Sequence, residues 1–231
     1  MERTLFATPF SAEYWRLAAK ELKKPKMLVV AALLIALRVA LKSVAIPVGP
    51  YLNITVGFFV SALGAMIFGP VIAILAAAVS DTLGCLLFPS GAYFFPFIFV
   101  EIAGSLIFAL MLYRVKVTTW RVILSRFLVM FVCNLVLNPA IMILYNKMVL
   151  GGEYAFLTVP RLVKNLCLFP AEAFLLVLFL NVMIPVTNRL GLTYGTREKL
   201  HVRPRHIVTL IVMAVAAAAA VALYGYYKAN A

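Results

Sequence analysis

Between Met27 and Ala45 the chain reads MLVVAALLIALRVALKSVA, an apolar stretch long enough to cross a bilayer, with Arg38 set about a dozen residues into it. A charge at that depth costs about 2.5–3.5 kcal/mol on insertion scales, so the fold must give Arg38 a partner or a task. The same choice recurs along the chain. Asp81, Glu101, Arg126, Arg161, Lys164 and Glu172 also interrupt apolar stretches, which implies a polar interior within a membrane-spanning helical bundle.

Composition agrees: 65% of the 231 residues are hydrophobic and 13% are charged, whereas soluble domains hold about 45–50% apolar residues. The 21 Lys and Arg outnumber the 8 Asp and Glu, but they gather at helix ends rather than on one helix face. Topology explains that distribution better than a nucleic-acid partner does, and none is expected. Cys85, Cys133 and Cys167 lie inside apolar runs without close spacing or histidine neighbours, so they read as inert core residues. No cleaved signal peptide is expected.

Residues 1–26 read as an amphipathic segment on the membrane surface, because Phe10, Tyr14, Leu17 and Ala18, and likewise Trp15, Ala19 and Leu22, recur at helical spacing beside Arg16, Lys20, Lys23 and Lys24, or else as a disordered basic leader. Six crossings are expected over 27–190: about Met27–Ala45, Asn53–Phe68, Val71–Leu87, Ile98–Tyr113, Arg121–Tyr145 and Pro160–Asn188. Residues 191–231 add a basic stretch and a seventh crossing over His206–Tyr227. The all-α bundle then has its N-terminus in the cytoplasm, the side that collects most Lys and Arg. Three loops, IPVGPYLN, FPSGAYFFPF and NKMVLGGEYAFLTV, face outward together with the helix ends bearing Arg38, Glu101, Arg161 and Lys164.

On the sixth crossing Lys164 and Asn165 follow Arg161 by three and four residues, so the three share a helical face suited to carboxylates, or else the cations snorkel to headgroups. Tyr93 and Phe94 lie in an outward loop and could sandwich a planar heterocycle or belong to an interfacial aromatic belt. Asn134 and Asn138 could bond a heterocycle edge or hold helices together. Ala32, Ala36 and Ala40 form a small-residue stripe that lets another helix approach, and Arg38 faces about 160° away from it. No Gly-rich lysine loop, HExxH or GxSxG is present, so energy for uphill transport must come from elsewhere.

LNITVGFFVSALGAMIFGPVIAILAAAVSDTLGCLLFPSGAYFFPF and VPRLVKNLCLFP resemble the substrate-binding S components of energy-coupling factor (ECF) vitamin transporters, specifically the folate-binding branch, over about residues 27–190. The resemblance implies a six-helix bundle in a bacterial cell membrane whose outward loops close over folate, carried as cargo and not as a cofactor. It implies Arg38, Arg161, Lys164 and Asn165 as folate contacts, with the FPSGAYFFPF aromatics, Tyr93 and Phe94 among them, around the pterin. The stripe Ala32, Ala36 and Ala40 would meet a transmembrane coupling subunit, beneath which two ATPase subunits hydrolyse ATP. Asp81 and Glu172 are expected as partners for buried cations. The N-terminal segment and the seventh crossing depart from the six-helix pattern. Three alternatives stand beside this reading: an S component for riboflavin or pantothenate, an intramembrane enzyme using Asp81, Glu101 or Glu172, and an autonomous proton-coupled carrier.

Overall fold

A computed structural model describes residues 5–6, 11–42, 45–49, 52–88, 93–152, 155–156 and 158–193, with isolated positions elsewhere. Helix α1 spans Ala12–Glu21 and opens on Ser11, whose hydroxyl accepts the Tyr14 amide at 3.2 Å. Its residues Tyr14, Leu17, Ala18 and Glu21 recur on one face, and all four are buried. The Tyr14 hydroxyl donates to the Ala109 carbonyl at 3.0 Å, and Glu21 receives Lys24 at 2.8 Å and Arg114 at 3.3 Å. Burial, with Tyr113 alongside, pushes the Tyr14 phenol up from its usual range, so it remains the donor. The expected surface segment is therefore helical, but its Tyr14 face docks on the bundle. Trp15, Arg16, Ala19, Lys20 and Lys23 face outward.

Helix α2, Pro25–Lys42, points Arg38 inward and leaves Ala32, Ala36 and Ala40 exposed on the opposite side. It stops before Ala45, because the following segment pairs as an antiparallel hairpin of β1 (Ala45–Gly49) and β2 (Leu52–Thr55). The β-branched residues Ile46, Val48, Ile54 and Thr55, with Pro47 among them, favour extended backbone, so the second crossing begins at Gly57 instead of Asn53.

Helix α3, Gly57–Phe68, turns into α4, Pro70–Leu87, through Gly69 at φ 77°, with Pro70 at the first helical position. Helix α5 covers Phe97–Leu112 and packs on both, while α2 packs on α3 and α4. The next segment is continuously helical over Thr119–Leu150. It comprises α6 (Thr119–Val129), a π-helical stretch Met130–Leu137, α7 (Asn138–Tyr145) and a second π-helical stretch Asn146–Leu150. Pro139 lacks an amide hydrogen and would crowd the carbonyl one turn before it; the wider π-helical turns absorb that defect. Helix α8, Val159–Arg189, packs against α6 and α3.

Helices α3 and α5 rise about 18 and 24 Å, short of a core about 30 Å thick. The hairpin and the aromatic residues before α5 extend them at one margin, while α4, Thr119–Leu150 and Arg161–Arg189 are each long and apolar enough to cross. The Gly69–Pro70 corner, Tyr113, Arg114, α1 and the end of α8 share the other margin, where Lys26 donates to the Leu190 carbonyl at 2.6 Å. The expected crossing His206–Tyr227 and most of residues 194–231 lie outside the described residues, as do Tyr51, residues 89–92 and Tyr154.

A Cβ on Gly69 would stand 2.7 Å from the Tyr113 ring at a backbone angle that disfavours any side chain. Gly69→Ala is expected to cost about 1–3 kcal/mol, read as a lowered unfolding midpoint of the detergent-solubilised protein.

Candidate functional site

Among the described residues, three acid–base pairs join one bundle helix to another. Arg38 on α2 meets Glu101 on α5 and donates to the Ser105 hydroxyl at 3.2 Å. Lys42 reaches Asp81 on α4 at 2.7 Å, lying across Gly84, where a Cβ would collide with the lysine stem. Arg126 on α6 donates to Glu172 on α8 at 2.6 and 3.2 Å, and its guanidinium sits 4.2 Å from the centre of the Phe58 ring. Asp81 and Glu172 thus act as expected, as partners for cations. Glu101 was legible as an intramembrane carboxylate, but its pairing with Arg38 was not, because the two are 63 residues apart.

A small cavity beside Arg38, lined also by Leu34, Ser61, Gly64, Phe68 and Ser105, holds about 20 Å³. That admits a water, not a vitamin, whose sites occupy about 300–1,000 Å³. Arg38 is 8% exposed and engaged by α5.

A second polar set lies where α8 begins. Arg161, Lys164 and Asn165 are half-buried on its first turns. The Asn165 amide donates to the Arg161 carbonyl at 2.9 Å, and the Asn134 amide donates to the Asn165 side-chain oxygen at 2.9 Å. Asn134 therefore ties the π-helical stretch to α8, and Asn138, half-buried where α7 starts, is the amide one turn beyond that tie. Gly104, one turn along α5 from Glu101, packs 3.6 Å, measured from a built Cβ, from the sulfur of Cys133, next to Asn134. The π-helical stretch thus lies between the Arg38–Glu101 pair and the Arg161 set.

Aromatic residues cover the same margin. Phe94 packs edge-on against Phe97 and against Tyr145 at the end of α7, with centroids 6.0 and 5.3 Å away. Tyr93 beside it is about half exposed. Tyr145 escaped the sequence reading, since nothing in its neighbourhood of apolar residues marks it; the pairing of two distant segments does. The structure brings Asn134, Asn165 and Arg161 together and ties Phe94 to α7, and it holds Arg38 apart in its own ion pair.

Residues 23–167 match the family model described as the S component of an ECF-type riboflavin transporter. Among curated proteins the chain is 32% identical over 152 residues to the folate transporter FolT of Clostridium novyi, covering 66% of this chain and 86% of that one. It is 30% identical over 150 residues to the FolT of Leuconostoc mesenteroides subsp. mesenteroides, covering 64% and 80%. A crystal structure of FolT bound with folic acid superposes with a TM-score of 0.56 at 31% identity, covering 65% of this chain and 89% of that chain.

Removing one member of a buried ion pair leaves the other without compensation. Glu172→Leu alone is expected to cost about 3–5 kcal/mol, and Arg126→Leu with Glu172→Leu markedly less, measured as unfolding midpoints in one detergent.

Proposed function

Because the chain belongs to the S components of ECF transporters, membrane subunits that bind substrate and are not enzymes, we propose that it captures folate from the outer side of the cell membrane and hands it to the other components of such a transporter. One observation carries the choice of ligand. The start of α8 presents Arg161 and Lys164 on one face with no acid in its first turn, at the helix end that is already positively polarised. Two cations at that end oppose the helix dipole, a cost that an anionic ligand reverses. Folate brings two carboxylates on its glutamate and a flat pterin, which suits Tyr93 and Phe94 for stacking and Asn138 and Asn165 for edge hydrogen bonds.

Arg38 meets a ligand only when Glu101 and Ser105 release it. Riboflavin is the second reading, favoured by the description of the matched family model. It is uncharged and gives the α8 cations nothing to hold.

Residues 27–190 form the substrate-binding part in this reading, with 1–26 and 191–231 as additions. The exposed stripe Ala32, Ala36 and Ala40 receives a transmembrane coupling subunit, whose two ATPase partners supply the energy of uptake. The N-terminus lies in the cytoplasm, because the margin holding α1 also collects Lys24, Lys26, Arg114, Lys116 and Arg121.

Calorimetric titration of the detergent-solubilised protein is expected to give tight folate binding and much weaker riboflavin binding. Arg161→Ala and Lys164→Ala should each weaken folate by roughly tenfold or more, the worth of one charge-assisted contact. Riboflavin binding tighter than folate, or full folate affinity in the double variant, contradicts the assignment.

A further inference from the structure

Helix α1 lies outside the stretch matched by the family model, which begins at residue 23. Its inner face is locked to the bundle by the Tyr14–Ala109 hydrogen bond and the Glu21–Arg114 ion pair. Its outer face carries Trp15, Arg16, Ala19 and Lys20, all exposed, at spacings that place them on one side, and the exposed Lys23 follows in the next turn. Only the short turn Leu22–Lys24 separates α1 from α2, so this face stays at the depth where α2 leaves the hydrocarbon. The chain has two tryptophans, and the second, Trp120, is 58% exposed at the start of α6, close in sequence to Lys116 and Arg121 at the same margin. Glu13 is the one exposed acid on α1.

We propose that the outer face of α1, formed by Trp15, Arg16 and Lys20 and continued by Lys23 in the turn that follows, is a docking surface for anionic phospholipid headgroups of the inner leaflet. Tryptophan settles at the boundary between headgroup and acyl chain, and each cation close to an anionic leaflet gains on the order of 1 kcal/mol, about a fivefold preference. A protein partner would be expected to bury Trp15 among apolar neighbours. The cations that follow it, Arg16, Lys20 and Lys23, favour phosphate instead. The inner-face anchors hold α1 in place whether or not lipid is bound, so the surface is preformed.

The test uses the full chain in nanodiscs with Trp120→Phe, which leaves Trp15 as sole reporter. Brominated phosphatidylglycerol is expected to quench Trp15 several-fold more than brominated phosphatidylcholine at equal mole fraction. Arg16→Gln, Lys20→Gln and Lys23→Gln together should bring the ratio close to one, as should high salt. Unfolding midpoint in detergent and vitamin binding, whose residues lie at the other margin, should be unchanged in that triple variant. Equal quenching by the two lipids in the parent protein overturns the proposal. So does full competition by millimolar inorganic phosphate, which would make the face a site for the free anion, or loss of binding to transporter partners in lipid-free detergent, which would assign it to protein.

Discussion

Hydrocarbon offers a charge nothing, and the architecture follows from how this chain answers that. Arg38, Lys42 and Arg126 each cross to a carboxylate on a different helix, so every pair is also a clamp: α2 to α5, α2 to α4, α6 to α8. The Arg126–Glu172 clamp, buried on both sides, does not compete with water in the way surface ion pairs do, and it is intolerant of losing one member. Packing supplies the rest, with Gly84 letting the Lys42 stem approach where a side chain would intervene.

Once those pairs are formed, the polar groups divide by depth and end. The carboxylates Asp81, Glu101 and Glu172 are committed to structure, which argues against their serving as acid or base in an intramembrane reaction. The start of α8 differs, since its cations sit at a helix end that repels them and beside amides already ordered by Asn134. Phe94 and Tyr145 close over that margin from two separate segments. At the opposite margin α1 seals the bundle with Tyr14 and Glu21 and turns a basic, tryptophan-bearing face outward.

Much of this was legible from the residues. Apolar length located α4, α5 and α8 to within a few positions, because a span has to be apolar over most of its length. Helical spacing placed Arg38 opposite the alanine stripe, and Asp81 and Glu172 were expected as partners for cations. What could not be read were the pairings, since Arg38 with Glu101 and Arg126 with Glu172 depend on which helices are neighbours. Hydropathy also misjudged Asn53–Thr55, whose apolar neighbours concealed extended backbone in a hairpin. The Tyr14 face of α1 had the periodicity of a surface helix, and only its contacts with Ala109 and Arg114 distinguish docking on protein from lying on lipid.

The central claim is that the cations at the start of α8 hold the carboxylates of the vitamin. Its most direct test compares folate with its uncharged pterin–aminobenzamide fragment, which lacks the glutamate and both its carboxylates, by calorimetry on the same purified protein. The fragment should bind at least tenfold more weakly, and Arg161→Ala should erase most of that difference. Equal affinity for the two ligands would contradict the account.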